Sequence, residues 1–230
     1  MNNNLKSIVL LSSGIDSLVS LATAKLKTNV ILSLTIDYGQ IAAENEIESA
    51  EKIAHHYNVE HKTIDLKWIK DYSKSHLTGY DSLPLIENNT GSTEELLKAS
   101  RKVWVANRNG MMINIAAFFA ESLNANLIVT GFNAEEAENF PDNSHDFIKA
   151  INKSLSYSTL NHVIAKSYTI KMTKKQIVKL AYNLNIPWEL LWSCYNDHGK
   201  MCGNCESCFR LKRALTQTGV FEKVKERVRF

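Results

Sequence analysis

The sequence predicts an α/β fold built on a doubly wound parallel sheet, and three observations predict it. Runs of branched apolar residues recur at Ile8-Val9-Leu10-Leu11, from Val30 to Ile36, and at Leu127-Ile128-Val129, too continuous for strands with one wet face. Between them, apolar residues fall at helical spacing, as in Leu18, Leu21, Ala22 and Leu26. The connections are short, so strand and helix alternate as parallel crossover units require.

The first strand breaks into Ser12-Ser13-Gly14-Ile15-Asp16-Ser17 and a helix follows at once. A strand, a Ser/Gly turn and a helix start make an anion site, because unpaired first-turn N–H groups and the helix dipole both favour negative charge. Ser12, Ser13 and Ser17 offer hydroxyl donors, and Gly14 lets a phosphate approach the backbone. A plain Ser-capped connection is the commoner use of a Ser-Gly pair, but the acid at a fixed place favours phosphate. The second strand ends in Asp37-Tyr38-Gly39-Gln40, and a helix through about Tyr57 turns Ile41, Ala42, Ile47, Ala50, Ile53 and Ala54 inward. A short third strand runs from His61 to Leu66. Ligands of such sheets sit beyond the carboxyl ends of the strands, where Ser12 to Ser17 and Asp37-Tyr38 both fall.

From Lys67 to about Ala106 the periodicity weakens, with loop chemistry at Tyr72-Ser73-Lys74-Ser75 and from Glu87 to Ser92 and a turn signal at Pro84. This stretch reads as an insertion over the sheet, of the kind that serves as a lid. Asn107-Arg108-Asn109-Gly110 opens an apolar helix from Met111 to Leu123, and Leu127 to Thr130 is the fourth strand. Gly131 marks a strand end that a ligand can approach. An acid-dense loop follows from Phe132 to Asp142, then a helix around Phe147 to Leu155 and a fifth strand within Val163 to Ile170. Thr173 with Gln176 forms a capping box for a helix ending near Leu184. The tail from Phe209 reads as a basic helix (Arg210, Lys212, Arg213, Lys223, Lys225, Arg227) with a solvated face rather than a nucleic-acid patch.

With 230 residues and 44% hydrophobic content, the chain fills one main domain, residues 1–185, and a smaller C-terminal subdomain, 186–230. A net charge of +3 forces neither a nucleic-acid nor a membrane partner, and the apolar run after Met1 to Lys6 is too short for a signal peptide. A cytoplasmic protein is expected. All four cysteines, Cys194, Cys202, Cys205 and Cys208, crowd one stretch, and Gly203 permits a tight knuckle. Four thiolates match a closed structural zinc site better than an iron–sulfur cluster or a redox pair, leaving His198 a bystander.

The loop Ser12 to Ser17 resembles the pyrophosphate loop of the N-type ATP pyrophosphatases and lacks the lysine of a Walker loop. Ile36-Asp37-Tyr38-Gly39-Gln40, Val105-Ala106-Asn107-Arg108-Asn109, Gly131-Phe132-Asn133-Ala134, Phe140-Pro141-Asp142, Trp192-Ser193-Cys194-Tyr195 and the cysteine cluster follow in order. Together they resemble the 7-cyano-7-deazaguanine synthase family (QueC) over nearly the whole chain. The resemblance implies an adenine nucleotide alpha hydrolase-like, Rossmann-like fold, ATP, Mg²⁺ and Zn²⁺, and usually a homodimer. It implies AMP-forming activation of 7-carboxy-7-deazaguanine and condensation with ammonia, first to the amide and then to the nitrile. In that scheme Leu11, Ser12, Ser13, Gly14, Asp16, Ser17, Asp37, Tyr38 and Gly131 hold ATP and its Mg²⁺. Arg108 offsets phosphate charge, and Arg108, Asn133, Phe140 and Asp142 meet the deazaguanine; Asp16, Arg108 and Asp142 are the catalytic set.

Two departures stand out. Ser13 replaces the family's second loop glycine, which implies a position that does not need φ > 0. The family segment Asp-Tyr/Phe-Ser-Gly-Tyr-Pro-Asp-Cys-Arg is here Glu136-Ala137-Glu138-Asn139-Phe140-Pro141-Asp142-Asn143-Ser144, which keeps Pro141-Asp142 and adds acids. The change leaves open a paralogue of the anti-phage kind that joins the deazaguanine acyl group to an amine such as a protein N-terminus. A tRNA-modifying enzyme and a nucleotide sensor without turnover are the remaining readings.

Overall fold

Side chains alternate along a strand, so neighbouring apolar residues of a buried strand need two cores. In β1 (Lys6–Leu10), Val9 packs into one hydrophobic cluster and Ile8 into another, both fully buried. The computed structural model describes residues 5–86 and 93–229; the segments at Met1 to Asn4 and at Glu87 to Ser92 lie outside the described residues. Along the chain β1 is followed by α1 (Ile15–Lys27), β2 (Asn29–Asp37), α2 (Ala43–His56), β3 (His61–Asp65), α3 (Ile69–Tyr72) and α4 (Thr93–Lys102). Then come α5 (Arg108–Ser122), β4 (Leu127–Thr130), α6 (Ala134–Ala137), α7 (His145–Ser158), β5 (Ile164–Ser167), α8 (Lys174–Asn183) and α9 (Glu206–Thr218).

The strands pair in parallel in the order β3-β2-β1-β4-β5. Residues of α1, α2, α8 and α9 build the core on one face, and residues of α5 and α7 build the core on the other. The sheet is therefore doubly wound, as the apolar runs predict. The chain moves outward from β1 to β3 and then returns to lay β4 on the other side of β1, which opens a crevice at the carboxyl ends of β1 and β4. No helix among the described residues is long and apolar enough to cross a membrane.

Three elements differ from the sequence reading. The stretch read as irregular contains α4, whose Leu96 and Ala99 pack on Ile86 and on Phe209 of α9. Its apolar face is narrow because only that small cluster, and not the sheet, receives it. The C-terminal helix starts at Glu206, inside the cysteine cluster, and stops at Gly219, which takes a left-handed conformation at φ 72°. The following residues form short 3₁₀ turns, and Arg210 is buried rather than solvated. Trp188, Leu191, Trp192, Met201 and Leu211 share the core of α1 and α8, so the C-terminal segment is packed on the sheet's own helices.

Candidate active site

The loop after β1 is pinned from both sides. Leu11 N–H donates to the Leu34 carbonyl (2.8 Å), and Trp192 N–H donates to the Ser13 carbonyl (3.1 Å). Ser13 takes φ 60°, so the expectation that this position does not need a positive φ is wrong. The turn keeps the left-handed geometry suited to glycine, and a serine tolerates it because its buried hydroxyl bonds the carbonyls of Ser12 (2.5 Å) and Trp192 (3.3 Å). Gly14, at φ −65°, caps α1 and leaves the first-turn N–H groups without a side-chain cap. The Ser17 hydroxyl donates to the Gly14 carbonyl (2.9 Å) and accepts from Ser12 N–H (3.2 Å), which holds the turn tight. At Gly131 a Cβ would stand 2.8 Å from Ser17 N and 3.0 Å from Asp16 C, so its first need is the helix start docking on β4 rather than a ligand.

A cleft opens over these strand ends, lined among others by Leu11, Ser12, Gly14, Asp16, Ser17, Tyr38, Arg108 and Gly131. Eight of the expected site residues thus meet there. Ser13, Asp37, Asn133, Phe140 and Asp142 do not line the cleft. Asp37 accepts from Gly39 N–H (3.0 Å) and pairs with Lys67 (3.3 Å). Asn133 is fully buried as the N-cap of α6, its Oδ1 accepting from Glu136 N–H (2.9 Å). Phe140 stacks on Trp104. Asp142 stands behind the wall, its carboxylate accepting from Asn143 and its carbonyl from Asn109, both cleft residues. Burial raises the Asp142 pKa against the pull of the Arg108 charge. Burial also works against the Arg108 cation, but Tyr38 and Asp142 hold it charged, and its Nη1 donates to the Tyr38 hydroxyl (3.2 Å).

Residues beyond the expected set complete the site. Lys174, buried at the start of α8, reaches Asp16 Oδ2 (2.5 Å) and Glu136 Oε1 (2.8 Å). Burial lifts Asp16 to about 6 although Lys174 opposes it, while at Glu136 burial works the same way but Lys174 outweighs it and holds the group below the usual range. Asp16 Oδ1 is buried without a hydrogen-bond partner among the described residues. The acids that seemed to rewrite the acceptor loop are mostly neutralised within the protein: Glu135 binds Arg210 and Arg213, and Glu136 binds Lys174. Glu206 in turn pairs with Arg210 and accepts from the Tyr195 hydroxyl (3.0 Å). Lys174 follows the capping Thr173 directly, so its place at a helix start beside the sheet was the available signal. Glu46 and Gln40 also line the cleft, and nothing in the sequence singled out Glu46.

The four cysteines place their Sγ atoms within 4.8 Å of one another. Tetrahedral zinc at about 2.3 Å from each sulfur sets S–S separations near roughly 3.8 Å, so the four thiols fit one ion with a small contraction. Asn196 and Cys202 N–H groups donate to Cys194 Sγ, and Cys205 N–H donates to Cys202 Sγ, which favours thiolates. Gly203, at φ 85°, makes the knuckle turn. His198 is exposed beside Asp197, outside the sulfur group.

A family profile described as "Queuosine biosynthesis protein QueC" matches residues 6–219. Three relatives described as 7-cyano-7-deazaguanine synthases align over nearly their whole lengths. That of Bdellovibrio bacteriovorus is 45% identical, covering 96% of each chain. That of Pelotomaculum thermopropionicum is 49% identical over 94% of this chain and 99% of its own. That of Methanosarcina barkeri is 42% identical over 97% of this chain and 99% of its own.

Proposed function

This chain belongs to the QueC family, and from that premise we propose that its cleft carries out 7-cyano-7-deazaguanine synthesis. ATP activates the carboxylate of 7-carboxy-7-deazaguanine as an adenylate, ammonia displaces AMP to give the amide, and a second activation removes water to give the nitrile. The observation that carries the reading is identity of 42–49% to synthases along nearly the whole chain, with a family profile whose match spans the phosphate loop and the cysteine cluster.

The residues fit that chemistry. A carboxylate is a poor acyl donor until its oxygen becomes a leaving group, and fixing both reactants over the strand ends supplies proximity. The open N–H groups of α1, with Ser12 and Ser17, receive the phosphates at the positive end of the helix. Arg108, held by Tyr38, faces the charge that grows as pyrophosphate departs. Tyr38 offers a flat wall to a base, and Asp142 steers Arg108 and Asn143 from behind the cleft. Asp16 is the Mg²⁺ residue: an unpartnered buried carboxylate oxygen suits a cation, and Lys174 fixes the other oxygen. Bound Mg²⁺ would neutralise phosphate charge. Zinc belongs to the four cysteines as a structural ion, in keeping with a cytoplasmic enzyme whose thiols stay reduced. Homodimerisation belongs to the same reading and is measured by sedimentation.

The test is the mass of the product formed from the acid, ATP and ammonium. The nitrile is expected. An amide that accumulates without nitrile, or product only when a protein amine is supplied, would replace this reading with the conjugating one.

A further inference from the structure

Three carboxylates line the cleft wall, and two of them, Asp16 and Glu136, share the Lys174 cation. The third, Glu46 on α2, is in no ion pair among the described residues. Its Oε2 accepts from Gln40 Nε2 (2.8 Å). Gln40 is buried and has no freedom to flip, since its Oε1 accepts from Tyr38 N–H (2.9 Å) and its Nε2 also donates to the Ile36 carbonyl (3.2 Å). The brace fixes one carboxylate oxygen and leaves Oε1 without a hydrogen-bond partner among the described residues, on the wall where Arg108 also stands.

Both nitrogen steps of the reaction need a base. Ammonia attacking the acyl carbon becomes a cationic nitrogen that must lose a proton before AMP leaves cleanly. The adenylated amide must lose its last N–H as the C–O bond breaks. We propose that Glu46 is the catalytic base for both steps, taking the proton from the substrate nitrogen on its free Oε1. The inference rests on the synthase reading above. In the first step the C–N bond forms, a nitrogen proton passes to Glu46, the carbonyl closes again and the C–O bond to AMP breaks. In the second, a further ATP makes the O–P bond at the amide oxygen, pyrophosphate leaves, and one of the two amide N–H protons passes to water, giving the neutral adenylated imidate. The N–H proton then passes to Glu46 as the C≡N bond forms and AMP departs. Glu46 returns each proton to water through the open cleft.

The surroundings tune the group for this work. Burial pushes Glu46 up to about 7, against the Gln40 hydrogen bond and the Arg108 charge, with Asp37 adding to the rise. Tyr38, whose own pKa burial raises, stays neutral beside it. A base with this pKa is half free near neutral pH and returns its proton readily.

The zinc-loaded enzyme and its Glu46→Gln and Glu46→Asp variants test this in three assays: ATP–pyrophosphate exchange with the acid, amide formation from acid and ammonium, and nitrile formation from supplied amide. For Glu46→Gln we expect exchange within about threefold of the parent, and amide and nitrile formation slowed by about 10²–10³-fold, in the range of a lost general base. The parent's kcat/KM limb near pH 7 should disappear, and Glu46→Asp should restore part of the rate. Nitrile formation by Glu46→Gln within threefold of the parent overturns the proposal, as does an equal loss in the exchange assay. A parent enzyme that makes no nitrile overturns the synthase reading instead, and this proposal with it.

Discussion

Ser13 and Glu46 show what single residues contribute against their own stability. A left-handed serine costs about 1–2 kcal/mol, and its buried hydroxyl bonds return about 1 kcal/mol. Ser13→Gly should therefore change stability by less than about 1 kcal/mol, while Ser13→Ala, which keeps the strain and loses the bonds, should cost about 1 kcal/mol more; urea unfolding measures both. The sequence pointed the wrong way here because a side chain in place of glycine signals an ordinary φ unless the hydroxyl finds carbonyls, and the Trp192 carbonyl is 179 positions away. For Glu46, the folded chain keeps the proton to about pH 7 and the unfolded chain only to the ordinary carboxylate value of 4.5. The folded state binds more protons between those values, so stability falls as pH rises through that window. Glu46→Gln should thus melt higher than the parent at pH 8 and level with it near pH 4.5. Asp16, lifted from 3.8 to about 6, tilts stability the same way at lower pH.

Among elements, the meeting of α1 with β4 is the tightest constraint on the site. A methyl at Gly131 would press on backbone at Ser17 and Asp16, which cannot swing aside as a side chain would. Gly131→Ala should cost about 1–3 kcal/mol, as overpacking does, and should raise the KM for ATP by displacing the first turn of α1. The strands were readable because each is covered on both faces, which writes a continuous apolar run into β1 and β4 and a run broken only by Ser33 and Thr35 into β2. Helix α8 was readable from the Thr173 and Gln176 capping box, present in the structure as expected. Helix α4 was hidden among Glu94, Glu95, Lys98, Arg101 and Lys102, since its partners are Ile86 and Phe209 rather than the sheet. The start of α9 was hidden because cysteines at metal spacing read as a knuckle and carry no helical period.

For the whole molecule, the cysteine cluster and the phosphate loop act as one unit. Trp192, two residues before Cys194, closes Ser13 through two backbone carbonyls and an amide, and Met201 bridges to Val228 in the last described turns. Chelation of zinc, or Cys205→Ser, should lower the melting temperature by more than about 5 °C, roughly 2 kcal/mol for a chain of this size, and weaken ATP binding in parallel. Calorimetry with and without ATP separates the two effects. The loop half of the site was legible because a strand, a turn and a helix start are local in sequence. The half built by Lys174, Glu136, Glu46 and Arg210 was not, because ion pairs and braces between distant segments leave no periodic trace.

The clasp between Ser13 and Trp192 also orders the birth of the enzyme. The phosphate loop leaves the ribosome well before the residue that closes it, which follows 179 positions later, roughly 10–35 s at ordinary elongation rates. Through that interval the nascent chain can pair β1 with β2 but has nothing to lock the turn on which nucleotide binding depends. A chain terminated before Trp192 would therefore be a sheet without a working mouth, unable to drain the cell's ATP.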